Sequence, residues 1–270
     1  MKTFRYLFVF LVLLAPAAQA WGPAGHRIVG AIAELHLTDK SKTRLAQLIG
    51  PDQRISDDAI ASWPDHIRKQ RPETAPWHYV DIPITAPRYD SRMFCPRGQC
   101  VVSQIDRLTK ILADSKQSTA QRTEALRFLV HFVGDIHQPL HCAQRDDDKG
   151  GNLCKVYFLD RPDETNLHRV WDGDILHSGL GATDPLDYAR RLNSLVTPDQ
   201  LRDRASNRPA DWAWESHELA VTHVYAGVPA ANPPARLTED YVRKSRLIVD
   251  HQLTQAGLRL ARLLNRALGD

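Results

Sequence analysis

The segment from 131 to 141, HFVGDIHQPLH, constrains the fold of this chain more than any other stretch. It places three histidines and an aspartate among residues that are otherwise typical of a buried helix. His131 and Asp135 are four residues apart, so they share one face of a helix. Pro139 cannot continue that helix, and the chain must turn just before it. We therefore expect His141 to return from beyond the turn towards the same cavity.

A second pair has the same spacing, because His168 and Asp172 are also four residues apart in NLHRVWDGD. Between the two pairs lies GGN at 150–152, where glycines allow close approach of the backbone and Asn152 offers an amide. One such pair is usually a surface ion pair or a satisfied core histidine. Two pairs in apolar helical surroundings predict a metal site, and imidazole with carboxylate suits zinc. We expect His137 to pack or to support a ligand from outside.

Helical periodicity dominates the chain and predicts a mainly α fold. The predicted helices span 24–37, 40–49, 56–70, 101–114, 119–137, 184–195, 209–226 and 238–268. Extended structure is expected only at 77–82 and at 156–158, the latter as half of a short β-hairpin. The stretch 83–99, with three prolines, reads as a loop. Folds of this class build their sites between facing helices.

The first twenty residues have the pattern of a secretory signal peptide. Lys2 and Arg5 precede an apolar run at 6–14, and Ala18-Gln19-Ala20 is a small-residue cleavage site. Cleavage there predicts export to the periplasm or the medium, with a mature chain at 21–270. That chain contains no linker or repeat, so we interpret it as one domain. No later stretch is long and apolar enough to predict a membrane anchor.

Removal of Lys2 and Arg5 lowers the formal net charge from +3 to +1. A nearly neutral chain lacks the basic footprint of a protein that binds nucleic acid through its phosphates. If the substrate is a phosphate ester, bound cations would have to supply the attraction locally.

The four cysteines form an even set, which in an exported chain predicts disulfides. Pairing of sequence neighbours gives Cys95–Cys100 and Cys142–Cys154. The alternative is free or zinc-bound thiols.

Six motifs in order carry a resemblance to a known family. They are WGPAGH at 21–26, ASWPD at 61–65, WHYVD at 77–81, HFVGDIHQPLH at 131–141, GGN at 150–152 and NLHRVWD at 166–172. Together they resemble the zinc-dependent, single-strand-preferring nucleases, a fungal and plant family that forms 5′-mononucleotides and is related to bacterial zinc phospholipase C. The resemblance runs the length of the mature chain. It implies a trinuclear zinc site in a cleft between helices.

The resemblance also implies which residues bind the three zinc ions. The first zinc would take the α-amine and carbonyl of Trp21, His26 and Asp135; the second Asp65, His78, His131 and the other oxygen of Asp135; the third His141, His168 and Asp172. The remaining histidines match no ligand of the family; they are His36, His66, His177, His217, His223 and His251. We expect these to be ordinary residues.

The chemistry implied by the resemblance is hydrolysis of phosphodiesters. A hydroxide bridging two zinc ions would attack phosphorus in line, and the third zinc would stabilise the leaving 3′ oxygen. Asp65 would orient the attacking group, and Arg68 would meet charge on the phosphoryl oxygens. The related nucleases carry lysine at position 68, so this contact differs in shape. Asn152 would donate to phosphate or sugar, although it is also a common turn residue.

Base binding is expected to use stacking, which tolerates any sequence and favours unpaired bases. The resemblance assigns the stacking ring to Tyr79 and a hydrogen-bond acceptor to Asp81, and it adds Gly151 and Asn152 as further substrate-binding residues. For Tyr79, core packing is the competing interpretation.

The expected partners are single-stranded DNA and RNA and nucleotides, and 3′-nucleotidase activity is a further expectation. Two rival functions stay open at this point. One is phospholipase C activity on the same cluster, with phospholipid as partner, although the related phospholipases carry glutamate where this chain has Asp172. The other is an exported zinc-binding protein without catalysis.

Overall fold

The computed structural model describes residues 21–202, 208–229 and 233–269, and the predicted signal peptide at 1–20 lies outside them. The described residues are mainly α-helical with one small sheet, which confirms the predicted class. The α-helices are α1 (Pro23–Leu35), α2 (Asp39–Ile49), α3 (Asp58–Ala61), α4 (Trp63–Ile67), α5 (Ser91–Phe94), α6 (Val101–Ala113), α7 (Thr119–Asp135), α8 (Leu167–Arg169), α9 (Ile175–Leu180), α10 (Pro185–Ser194), α11 (Pro198–Arg202), α12 (Pro209–Leu219) and α13 (Glu239–Gly269).

The helix predicted at 56–70 is divided into α3 and α4 at Ser62. Pro64 explains the division, because proline lacks the N–H of a continuing helix and its ring clashes with the preceding turn. The break leaves the Ala61 carbonyl at the end of α3, and a histidine of α7 uses that carbonyl, as described below.

Helix α7 begins and ends where its sequence dictates. Ser118 and Gln121 form a capping box, in which each side chain accepts the other residue's backbone N–H. The helix ends at Asp135, and a short 3-10 turn, Pro139–His141, follows the break. The side chains of the last six residues of α7 and of Ile136 are all buried. A polar group at this end of α7 therefore needs a partner inside the protein.

The chain segment that carries the second His/Asp pair is helical but irregular. Helix α8 runs into a π-helical turn, Val170–Asp174, and then into α9. Asp172 lies in the π turn, and its carbonyl accepts the N–H of Gly22 at 2.9 Å. This bond fixes the amino-terminal segment against the chain that carries the pair.

The sheet has three short strands in the order β2-β1-β3. Strands β1 (Lys155–Phe158) and β2 (Glu164–Asn166) form the predicted hairpin, and β3 (Ala235–Leu237) joins β1 in parallel. The prediction of extended structure at 77–82 was wrong at its start, since a proline-initiated 3-10 segment, Pro72–His78, includes its first two residues. Beyond it the chain runs beside the turn after α7, with Val80 N–H donating to His141 O at 2.8 Å.

Helices α1, α6, α7 and α13 pack together and form the core around α7. The loop predicted at 83–99 is largely irregular, with only the short α5 and a 3-10 turn at Pro96–Gly98 inside it. No helix among the residues described is long and apolar enough to cross a membrane.

Only one of the two predicted disulfides forms. Cys95 and Cys100 are bonded, as predicted. The predicted Cys142–Cys154 bond is wrong, because both residues are free thiols. Each thiol has a partner elsewhere: the Cys142 thiol contacts the carbonyl of Ile136 at 3.3 Å, and Arg145 lies 3.5 Å from the Cys154 sulfur.

Candidate metal centre

The predicted ligands converge in three groups of histidine and aspartate side chains. The groups are His26, His131 and Asp135; Asp65, His78 and His131; and His141, His168 and Asp172. Within each group the candidate ligand atoms lie within 4.8 Å of one another. Residues that are far apart in the sequence thus come together, and the pairs His131/Asp135 and His168/Asp172 each lie within one group.

Asp135 lies at the middle of the first two groups. Its Oδ1 is 3.4 Å from Nε2 of His26, whereas its Oδ2 is 3.4 Å from Nε2 of His131 and 2.9 Å from Nδ1 of His78. The two oxygens therefore face different histidines. A carboxylate in this position can bridge two cations.

Asp65 extends the cluster from α4. Its Oδ1 lies 3.8 Å from Nδ1 of His78 and 3.7 Å from Nε2 of His131. The Pro64 break sets the start of α4 and so the position of this carboxylate. The Asp65 side chain is only 5 % exposed, so its carboxylate is withdrawn from solvent together with the histidines that it faces.

The third group stands on the other side of the turn after α7. Nε2 of His168 lies 3.2 Å from Nε2 of His141 and 3.3 Å from Oδ2 of Asp172. Two nitrogens at this distance cannot both be protonated without repelling each other, whereas two lone pairs can share a cation between them.

The residues present fit bound zinc on two observations. First, ligands at tetrahedral angles around a zinc ion with bonds of about 2.0–2.1 Å lie about 3.3 Å apart, close to the spacings above. Second, several buried ligand atoms have no hydrogen-bond partner within the described chain: Nε2 of His26, Nε2 of His131, Oδ1 of Asp65 and Oδ1 of Asp135. Unsatisfied buried polar atoms destabilise a fold unless another group, such as a cation, satisfies them.

Hydrogen bonds to backbone carbonyls fix three of the imidazole tautomers. Nδ1–H donates to Ala61 O at 2.8 Å from His131, to His78 O at 2.8 Å from His141, and to Gly150 O at 2.6 Å from His168. A carbonyl only accepts, so the proton must be on Nδ1. The Nε2 lone pair of each ring then points into the cluster, as metal ligation requires.

Burial sets the protonation of the cluster in the absence of a cation. It lowers the pKa of His26, His78 and His141 well below 6.5, and lowers that of His168 to about 4, so the rings are neutral and available as ligands. Burial also raises the pKa of Asp135 well above its usual value. A bound cation reverses this effect, because it favours the charged carboxylate.

Two glycines permit this packing. A Cβ on Gly134 would lie 2.7 Å from Nδ1 of His26, so any side chain there would displace the ring. Gly150 has a φ of +60°, and a Cβ on it would lie 2.3 Å from the Leu140 carbonyl. The Gly150 carbonyl can therefore reach His168. Gly151, predicted to contact substrate, accepts the backbone N–H of His168 at 3.3 Å.

Gln138 is a functional residue that sequence reasoning missed. Its amide donates to Oδ1 of Asp172 at 2.6 Å, and its own oxygen accepts the N–H of Leu140 at 2.6 Å. One fully buried side chain thus orients a ligand and shapes the turn before Pro139. The available signal was an amide placed between two candidate ligands in an apolar segment.

Arg68 lies beside the cluster, as predicted. Its guanidinium is 3.6 Å from Oδ1 of Asp65, and its side chain is 15 % exposed. Its positive charge contributes to lowering the pKa of both His78 and His168, after burial. The guanidinium therefore acts electrostatically on more than one of the ligand groups.

The residues predicted to bind substrate are Tyr79, Asp81 and Asn152, and each has a different set of neighbours. Tyr79 is half-buried, and burial together with the charge of Asp81 raises its pKa. Burial and the charges of Asp148 and Asp147 raise the pKa of Asp81 to about 6. Asn152 donates its amide to the Lys149 carbonyl at 2.8 Å, which is the turn-forming contact that was its alternative interpretation.

The other histidines and Trp21 lie outside the three groups of candidate ligands. His137 points away from the ligands, with Nδ1 bonded to Val133 O and Nε2 to Arg259. His36, His66, His177, His217, His223 and His251 belong to none of the three groups. Trp21 is fully buried, and its ring lies against Gly25 and Gly134.

A mainly helical chain that gathers eight histidine and aspartate side chains into three groups able to hold metal ions fits the class of metal-dependent hydrolases. The S1/P1 Nuclease family model matches residues 21–269, and the chain belongs to that family. It is a hydrolase that cleaves phosphodiester bonds in nucleic acids.

Individual relatives agree with this membership. Endonuclease 3 of Arabidopsis thaliana is 34% identical, over 95% of this chain and 92% of the relative. Nuclease S1 of Aspergillus oryzae (strain ATCC 42149 / RIB 40) is 26% identical, over 93% of both chains. Nuclease P1 of Penicillium citrinum is 28% identical, over 92% of this chain and 98% of the relative. These relatives are named as nucleases, which favours nucleic acid over phospholipid as the substrate.

Proposed function

We propose that residues 21–270 form a three-zinc nuclease that hydrolyses single-stranded DNA and RNA to products bearing 5′-phosphates. The observation that carries the proposal is the position of Asp135, whose two oxygens face His26 on one side and His78 and His131 on the other. A shared carboxylate with a third ligand group nearby matches the needs of in-line phosphoryl transfer.

The proposed ligands are the eight residues of the three groups together with Trp21, which the family resemblance adds. Trp21, His26 and Asp135 would hold the first zinc; Asp65, His78, His131 and Asp135 the second; His141, His168 and Asp172 the third. Zinc in these sites would supply activation of water at neutral pH and stabilisation of charge on phosphate oxygens. The contribution of Trp21 needs its free α-amine, so we propose that cleavage after Ala20 completes the site during export. The family match, which begins at Trp21, supports this boundary.

The chain's own residues would then act on the substrate. Asp65 accepts a proton of the attacking water and orients the water oxygen towards phosphorus. Arg68, beside Asp65, donates to the phosphoryl oxygens as negative charge builds on them. The amide of Asn152 keeps one N–H besides the one it gives to Lys149, and donates it to phosphate or sugar. As the water oxygen bonds to phosphorus, the bond from phosphorus to the 3′ oxygen breaks, and the 3′ oxygen takes up a proton from solvent to leave as a hydroxyl.

Single-strand preference would come from the base site. Tyr79 offers a half-buried ring directly after the ligand His78, and Asp81 offers an acceptor for base N–H groups. A base must leave the stack to reach both, which costs least in an unpaired strand. The same site would accept a nucleoside 3′-phosphate, so 3′-nucleotidase activity is part of the proposal.

The test is hydrolysis of heat-denatured DNA and of RNA by the exported, processed protein, with products identified by mass. We expect mononucleotides with 5′-phosphates, lost after treatment with a zinc chelator and restored by zinc. His131→Gln should abolish hydrolysis, whereas His66→Gln, an exposed histidine outside the cluster, should not. Zinc binding without hydrolysis of either polymer would contradict the proposal. Phosphatidylcholine hydrolysis would then be measured to test the phospholipase alternative. If phosphatidylcholine were not hydrolysed either, a zinc-binding protein without catalysis would be the remaining function.

A further inference from the structure

Side chains from two distant helices satisfy the carbonyls at the carboxyl end of α7. The Ser216 hydroxyl, on α12, donates to Ile136 O at 2.7 Å. The Gln252 amide, on α13, donates to His137 O at 2.9 Å and to the Ser216 hydroxyl at 3.1 Å. Helix ends leave unsatisfied carbonyls, and here water is excluded, because Ser216 is fully buried and Gln252 is nearly so.

A second contact from α13 holds the ring of His137. Since Nδ1–H donates to Val133 O at 2.7 Å, Nε2 is the acceptor for the Arg259 guanidinium at 2.9 Å. Arg259 is 7 % exposed, packs over the Trp212 ring and forms an ion pair with Glu215 at 2.6 Å. The guanidinium is therefore oriented on both sides and fixes the rotation of His137.

These contacts surround a turn that carries two parts of the third ligand group. Gln138, directly after His137, donates to Asp172, and His141 follows three residues later. The direction of both side chains depends on how the chain leaves α7 at Ile136 and His137.

We propose that Gln252 and Arg259 are positioning residues for the third metal site, formed by His141, His168 and Asp172. They touch neither substrate nor metal; they fix the turn from which Gln138 and His141 reach that site. The inference rests on the third zinc of the proposed function. Apolar residues of similar volume could fill the same space, but they would remove the donors to the His137 carbonyl and to Nε2 of its ring, and with them the contacts that fix the turn.

The experiment measures zinc rather than activity alone. Gln252→Leu and wild type would be equilibrated against buffered zinc, and zinc per chain would be determined by elemental analysis. We expect one of the three zinc ions to bind about 10–100-fold less tightly in the variant and the other two to bind as in wild type, as is typical when a group that orients a ligand is removed. The matched control is Thr254→Val on the same helix, whose hydroxyl bonds only to Asp250 O one turn away.

The outcomes separate positioning from simple stability. The inference would be overturned if folded Gln252→Leu bound three zinc ions with wild-type affinity. This would hold whether or not its Tm fell by as much as that of the control, Thr254→Val. Should Gln252→Leu fail to fold, Ser216→Ala removes one donor to the turn and should weaken the same zinc roughly five-fold. Unchanged zinc affinity in that folded variant would also overturn it.

The role of Arg259 is tested by removing its contact with His137 and, separately, by altering its contact with Glu215. Arg259→Met should weaken the same zinc and lower kcat on single-stranded DNA, with kcat recovering in excess zinc while KM stays near the wild-type value. Glu215→Gln removes only the negative charge at the exposed end and keeps an oxygen that can accept from Arg259, so it should leave zinc affinity unchanged. If wild type bound three zinc ions without hydrolysing nucleic acid, the proposed function would fail while this inference would still be decided by zinc affinity.

Discussion

Gln138 donates its amide N–H to Oδ1 of Asp172 at 2.6 Å, and Oδ2 of the same carboxylate lies 3.3 Å from Nε2 of His168. One oxygen is thus held by an amide while the other is left for a cation. An amide keeps this arrangement without competing for the metal, because it offers Asp172 only a donor. The geometry of the third ligand group thus depends on a residue that is not itself a candidate ligand.

Replacing Gln138 tests that dependence directly. Gln138→Leu should lose the bond to Asp172 and weaken zinc binding at the third site by about 10–100-fold. Titration with a competing chelator measures this, and the other two zinc ions should be retained. If folded Gln138→Leu released zinc to the chelator as wild type does, Asp172 would not need the Gln138 hydrogen bond in order to bind zinc.

Arg68 is expected to act on the transition state and not on metal binding. Arg68→Met should lower kcat/KM on single-stranded DNA by about 10²–10³-fold, the usual effect of removing a donor to developing charge. Arg68→Lys should keep much of the rate, because the charge remains although its shape differs. Zinc content should be unchanged in both; a parallel loss of zinc would instead assign Arg68 to the stability of the cluster.

Tyr79 separates stacking from core packing. Tyr79→Phe should retain KM on short single strands, whereas Tyr79→Ala should raise it by roughly 5–150-fold, as stacking of one base contributes about 1–3 kcal/mol. Thermal unfolding of both variants provides the control. If Tyr79→Ala lowers Tm strongly and leaves KM unchanged, the ring belongs to the core.

Gly134 is expected to tolerate no side chain. In Gly134→Ala the new Cβ would lie 2.7 Å from Nδ1 of His26, so the ring must move away from Asp135. We expect a loss of stability of about 1–3 kcal/mol, as in other overpacked cores, together with loss of one zinc. Gly269→Ala, where nothing lies within 4 Å, is the matched control and should change neither Tm nor zinc content.

The raised pKa of Asp81, about 6 against an ordinary value of 3.8, predicts a pH-dependent stability difference. The native carboxyl binds its proton more tightly than the unfolded chain does. The free energy of unfolding therefore falls as pH rises from about 4 to above 6, because unfolding releases the cost of burying the charge. Asp81→Asn should accordingly raise Tm at pH 7.5 and change it little at pH 4.5.

Comparing the two proteins at each pH under the same zinc conditions isolates the contribution of residue 81. A constant difference in Tm across this range would show that Asp81 titrates normally.

The two His/Asp pairs could be read from the sequence because their signal is local. The spacing of His131 and Asp135, and of His168 and Asp172, places each pair on one helical face whatever the rest of the fold does. Helix ends were also predictable where capping residues or prolines mark them. The Pro64 break was missed because the apolar periodicity continues across it, although proline at that position cannot extend α3.

What could not be predicted depends on contacts between distant segments. Nothing near Gln138 in the sequence indicates Asp172, and nothing near His137 indicates Arg259. The Cys142–Cys154 prediction was wrong for the same reason, because closeness in sequence does not fix the direction in which a thiol points. Strand β3 escaped notice since three residues carry too little periodicity.

The packing of α13 against α1 and α7 has a consequence for the geometry of the ligand groups. His26 lies on α1, whereas His131 and Asp135 lie on α7. Helix α13 contributes no residue to the three groups, yet both of these helices pack against it. The distance between His26 and Asp135 thus depends on a helix that supplies neither of them.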